Sequence, residues 1–275
     1  MRRDVTDLRN FYATPLGRAA WSMIGARVNE AWEDVRGLDV LGLGYATPFL
    51  EDFRARARRA VAAMPAAQGV EVWPTDGKVA SCLASEAALP FRNAFFDRIL
   101  MIHALEESEN ELACLIDACR VLAPAGRLIV VAANRRGGWS NAEATPFGHG
   151  RPFTRGQLER LVREAGLEPV AWSRALYAPP WPWAAPWAEG FEQAGAKLWP
   201  MWSGVILMEA VKQTFAVRPR GAGARVRAPV GGLLAPGLQP APRRTAGHMP
   251  ETAAKSTVVR LGPGPKGLEE RPKRP

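Results

Sequence analysis

Four short apolar runs, set between stretches of helical periodicity, restrict what this chain can fold into. They are residues 38–44 (LDVLGLG), 60–64 (AVAAM), 97–102 (DRILMI) and 127–132 (RLIVVA). Runs of this length without polar alternation read as strands buried on both faces of a parallel sheet. Between them the period changes. Residues 15–35 place Leu16, Ala19, Ala20, Met23, Ile24, Val28 and Trp32 on one side at helical spacing. Residues 48–59 are helix-like, and 107–122 turn Leu112, Leu115, Ile116, Cys119 and Leu122 inward before Pro124 and Gly126 stop the helix. Thr154 caps a helix over 155–165 that Gly166 ends, and Thr6 or Asp7 caps a first helix near the N-terminus. A weaker run at 79–84 and a late pair, 170–177 and 204–211, complete the strands. The alternation predicts an α/β fold with a mostly parallel sheet and helices on both faces, the late pair forming an antiparallel edge.

Charge divides the chain. The whole sequence has 36 Lys+Arg against 27 Asp+Glu, yet from Ala216 to Pro275 there are 12 basic and 3 acidic residues. Residues 1–215 are therefore neutral, and nothing in them points to a nucleic-acid partner. Residues 216–275 lack Phe, Trp and Tyr and hold 10 of the 24 prolines. Such a segment buries too little apolar surface to offset its ordering entropy, and is expected to be a disordered tail with at most weak polyanion contact. Cys82, Cys114 and Cys119 are too few and too irregular for a disulfide framework or a zinc site, and read as buried thiols. No apolar run is long enough for a transmembrane helix and no signal-peptide pattern opens the chain, so a cytoplasmic location is expected.

Two segments carry a family likeness. Residues 89–97 (LPFRNAFFD) run into the strand 98–102 and then His103-Ala-Leu-Glu, and residues 120–128 (RVLAPAGRL) pass from helix to strand. At this spacing they resemble the class I S-adenosylmethionine (SAM)-dependent methyltransferases, over roughly 39–211. The resemblance implies a Rossmann-like fold with a seven-stranded sheet. The domain would span 1–215, with N-terminal helices over 1–36 and the core over 37–213. It also implies SAM as cofactor and a small-molecule substrate.

Carried over residue by residue, the family's glycine loop falls on 40–47 (VLGLGYAT), with Gly42, Gly44, Tyr45 and Ala46 against the cofactor. Gly42 stands where an acid is usual, Ala46 and Pro48 where glycines are. Met64, before Pro65, stands at the end of the second strand, where the family has an acid for the ribose hydroxyls; Glu71 is nearby in sequence. Ser85 or Glu86, with the Ala87 N–H, matches the adenine turn, and His103 the place beside the methionine moiety. For substrate, the loop after the fifth strand offers Asn134, Arg135 and Arg136. Residues 147–153 (FGHGRPF) read as a lid or a helix lead-in, with His149 as an acid/base candidate. Trp181, Trp183, Trp187, Trp199 and Trp202 read as a satellite hydrophobic cluster under a long loop, with an apolar pocket or a docking face as alternatives.

Methyl transfer from a sulfonium needs mainly placement of a nucleophile, so no catalytic residue is named. The expectation is a SAM-dependent methyltransferase. The alternative is a non-catalytic protein on the same fold with weak or lost SAM binding. A nicotinamide oxidoreductase fits poorly, because no acid follows the glycine turn at the required distance.

Overall fold

The computed structural model describes residues 3–213 and 239–240. Two helices come first, α1 (Val5–Ala13) and α2 (Pro15–Ala31), followed by β1 (Asp39–Gly44), α3 (Thr47–Arg54) and β2 (Arg59–Pro65). Next are β3 (Ser81–Ala84), β4 (Phe96–Ile102), α4 (Glu111–Val121), β5 (Leu122–Ala133) and α5 (Arg155–Glu164). The last elements are β6 (Leu167–Ala175), α6 (Ala188–Leu198), β7 (Val205–Lys212) and β8 (Gln239–Pro240). The sheet order is β3-β2-β1-β4-β5-β7-β6-β8. β7 runs antiparallel between β5 and β6, and the pairs from β3 through β5 are parallel. This is the expected Rossmann-like sheet of seven strands. The two-residue β8 adds to it outside β6, antiparallel, with Gln239 opposite Trp172.

Alternate strand residues feed two cores. Val40, Leu100, Ile102, Ile129, Val131 and Leu207 face α1, α2 and α3; Leu41, Leu43, Ile99, Met101, Leu128 and Val130 face α4 and α5. Several local expectations are corrected. The cap of α1 is Asp4, whose carboxylate accepts from the Thr6 N–H, rather than Thr6 or Asp7. The helix after β1 ends at Arg54, because Arg59 already pairs with Asp39 as the first residue of β2. Ile116, expected inward, is exposed; Cys114 is buried but Cys82 and Cys119 are only half-buried. The Trp/Pro-rich segment holds α6, which no strong periodicity announced. Among the described residues no helix is long and apolar enough to cross a membrane. The disordered-tail reading of 216–275 lies outside the described residues, apart from Gln239 and Pro240.

Candidate functional site

In open parallel sheets ligands bind at the carboxyl ends of the strands, and here that edge is built around the turn from β1 into α3. Gly44 has φ +84, and a Cβ there would run into the Ile102 carbonyl oxygen and lie 2.8 Å from the Ala104 methyl. The Tyr45 N–H donates to that same carbonyl at 3.0 Å. At Gly42 a Cβ would meet Leu50 Cδ1 at 2.6 Å and Ala46 Cβ at 2.7 Å. Both glycines are thus required by the chain's own atoms: Gly44 by the end of β4, Gly42 by α3.

Over this turn lies a continuous aromatic cluster. Tyr12 of α1 stacks on Tyr45, ring centroids 5.8 Å apart, and meets Phe49 of α3 edge-on at 5.7 Å. Its hydroxyl and His103 Nε2 share a hydrogen bond of 2.8 Å. His103 follows β4 in the left-handed region, φ +51, and packs at 4.8 Å against Phe147. Phe147 in turn meets Trp139 at 5.6 Å. The buried Gln68 side chain donates to the His103 carbonyl at 3.2 Å. Burial pushes the His103 pKa down to about 3, so its imidazole is neutral at neutral pH. Burial also raises the Tyr12 and Tyr45 phenols, with Glu71 adding to the effect on Tyr45. None of these groups is poised to exchange a proton near pH 7. α1 is held down at its start, where Val5 N–H donates to Gln68 O at 2.7 Å and Arg3 N–H to the Glu107 carboxylate at 2.8 Å.

The remaining sequence candidates scatter along this edge. Met64 is fully buried at the end of β2, with no carboxylate at that position. Glu71 comes back to the turn from the next loop: its carboxylate accepts from the Thr47 hydroxyl at 2.5 Å and from the Tyr45 hydroxyl at 3.5 Å. Proximity in sequence gave no means of seeing this return. Ser85 and Ala87 lie in an exposed turn closed by Ala88 N–H to Ser85 O, with Glu86 half-buried between them. Asn134 is buried and donates to the Ser203 carbonyl at 2.8 Å, tying the end of β5 to the start of β7. Arg135 is exposed, and its guanidinium donates to the Pro152 carbonyl at 3.1 Å. His149 meets the Glu143 carbonyl at 2.8 Å and the Arg3 guanidinium.

SAM requires room for a nucleoside and an amino-acid chain, and hydrogen-bond acceptors for its ribose. At the carboxyl ends of β1, β2 and β4 that room is taken by Tyr12, Tyr45, Ala46, Met64 and His103, all buried and packed on the chain itself. Two cavities, of about 250 and 240 Å³, lie between α2 and α3 and beside Arg3 and Pro146. In this arrangement the residues do not fit SAM, and no chemical step is derived through it.

The two segments that carried the family likeness meet each other. The Arg120 guanidinium donates to the Leu89 and Phe91 carbonyls, each at 2.8 Å, and Asp117 accepts from the Leu89 N–H at 2.7 Å. They brace the entry to β4 against α4.

Comparison with known proteins agrees with this architecture. Residues 25–130 match the family described as methyltransferase domain. A SAM-dependent methyltransferase from Thermotoga maritima, described as a possible histamine N-methyltransferase, superposes with a TM-score of 0.57 at 18% identity, over 76% of this chain and 96% of that one. The [4+2]-cyclase SpnF gives 0.53 at 19% identity, over 72% and 83%. The Haloferax volcanii complex of the Trm112 methyltransferase activator with a putative methyltransferase gives 0.51 at 13% identity, over 76% and 99%. No curated protein matches. A cyclase among these neighbours means that the likeness carries the fold and not the reaction. Residues 25–130 thus match the methyltransferase-domain family, and the chain has the fold of the class I SAM-dependent methyltransferases.

Proposed function

We propose that this chain works by binding on a methyltransferase fold, its cofactor cleft closed from within, rather than by methyl transfer. One observation carries the reading. Tyr12 is docked on Tyr45 and hydrogen-bonded to His103, over the place where the resemblance puts SAM. The second reading is a SAM-dependent methyltransferase acting on a small molecule in the cytoplasm. It is favoured by the family match over 25–130 and by the Glu71 carboxylate at the glycine turn. In that reading Tyr12 withdraws. Gly42, Gly44, Tyr45, Ala46, Met64, Ser85, Glu86, Ala87 and His103 then line the cofactor, and Asn134, Arg135 and His149 the substrate.

Thermal unfolding of the full chain with millimolar SAM or S-adenosylhomocysteine separates the two. The closed cleft predicts no shift. Binding at about 100 times the dissociation constant adds about 2.7 kcal/mol, roughly 5–10 °C for a domain of this size. A shift of that kind overturns the proposal in favour of the methyltransferase. A shift seen only in Tyr12→Ala supports it, and identifies Tyr12 as the group that closes the cleft.

A further inference from the structure

The segment between β6 and β7 does not bury its tryptophans. Trp181, Trp183, Trp187 and Trp202 are 54, 61, 69 and 71% exposed, against the satellite cluster expected from sequence. Leu198, Met201 and Trp199 stand exposed beside them. Trp181 and Trp183 stack on each other at 5.8 Å, and Trp183 meets Phe191 of α6. Between Leu176 and Gly204 the exposed charged side chains are Glu189 and Lys197. A soluble surface rarely concentrates so many large apolar groups without an occupant.

The border of this patch is basic. Arg174 reaches the Met201 sulfur at 3.9 Å. Asn134, from the loop that carries Arg135 and Arg136, donates to the Met201 carbonyl at 3.3 Å. Among the described residues none of these three arginines meets a carboxylate within ion-pair distance. The sequence after Phe215 adds 12 basic residues against 3 acidic.

From this juxtaposition we infer that the 181–202 face docks on an anionic lipid surface. Indole is an amphipathic ring that settles at the headgroup level, and Leu198 and Met201 supply the apolar insertion beneath it. Basic groups at the rim and along the chain add attraction to anionic headgroups, and apolar insertion with basic charge is the pair of signals that makes surface binding stable. A second copy of this chain is less well matched, since a two-fold contact would set arginine rim against arginine rim. A nucleic acid is less well matched too, because Leu198 and Met201 stand exposed among the rings, aliphatic groups that a bilayer buries and stacked bases do not. This inference uses none of the cleft residues and stands whether or not the cleft takes SAM.

The test is co-sedimentation of the full chain with vesicles of phosphatidylcholine alone and with roughly a quarter phosphatidylglycerol. The expected result is binding enriched about tenfold on the anionic vesicles, with a blue-shifted tryptophan emission that brominated lipids quench. Trp183→Ser/Trp187→Ser/Trp202→Ser is expected to lower it by about tenfold with the unfolding temperature unchanged, because these rings are exposed. Arg135→Gln/Arg136→Gln is expected to weaken anionic binding alone. The inference is overturned by failure to bind either vesicle, by binding that survives the tryptophan changes, or by unquenched emission on bound vesicles. Tryptophan-dependent dimerisation without lipid binding, or tryptophan-dependent binding of single-stranded RNA in preference to vesicles, overturns it as well.

Discussion

At His103 the contacts that matter for stability come from far along the chain. The sequence puts a histidine at the end of β4, and the structure keeps it there, at the carboxyl edge. Its partner, Tyr12, lies 91 positions away on a helix whose docking no local pattern encodes. The pairing makes a stability prediction. The folded imidazole has its pKa held at about 3, whereas the unfolded chain has about 6.5. Between these values the unfolded chain takes up a proton that the folded chain refuses. The stability gained by keeping His103 neutral is therefore fully present above pH 6.5 and is lost as pH falls toward 3. From pH 8 to pH 5 the loss amounts to about 2 kcal/mol. Urea unfolding at the two values measures it. His103→Asn, which tolerates the left-handed backbone, is expected to lose that part of the slope whatever its own baseline. An unchanged slope in the variant would remove His103 from the account.

Among elements, the sheet and most helices were legible because their signals are local: unbroken apolar runs, caps and glycine stops over a few residues. The cleft was legible only as positions. The packing over it depends on Tyr12 of α1 meeting Tyr45 and His103, and on Glu71 returning to Thr47 from the loop after β2, contacts that leave no period in the sequence. The tryptophan segment misled for a related reason. Large apolar residues predict burial, and only the packed structure shows that the short turns around α6 leave most of these rings uncovered. The family segments gave the opposite result. They marked the fold strongly because they are structural, Arg120 and Asp117 clamping residues 89–91 ahead of Phe96, the first residue of β4, which pairs with Leu122 of β5. Arg120→Met removes the donors to two carbonyls and leaves the Asp117 carboxylate without its cation. Charged hydrogen bonds of this kind are worth about 1.5–3 kcal/mol each, and partial exposure places the expected total loss near about 2 kcal/mol. Urea midpoints of the two proteins test this. A loss below about 0.5 kcal/mol would mean that the clamp is a surface decoration.

For the molecule as a whole, the division of charge is also a division of labour that truncation can test. Residues 1–215 hold as many basic as acidic groups, so the net charge of +9 and the sequence pI near 10.1 belong to residues 216–275. In the described part the later residues touch the sheet through β8, two residues long, beside Ala171 and Trp172. A strand of that length contributes about 1 kcal/mol, so a chain ended after Phe215 is expected to melt within about 2–4 °C of the full protein. Its solubility should change far more. Without the surplus charge it sits near its isoelectric point at neutral pH while still exposing Trp183, Trp187 and Trp202, and proteins in that condition associate. Light scattering at low salt should therefore rise for the shortened chain and not for the full one. Adding Trp183→Ser/Trp187→Ser/Trp202→Ser to the shortened chain should bring it back down. If the shortened chain instead melts more than about 10 °C lower, residues beyond 215 are part of the folded unit, and the proposed boundary moves toward Pro242.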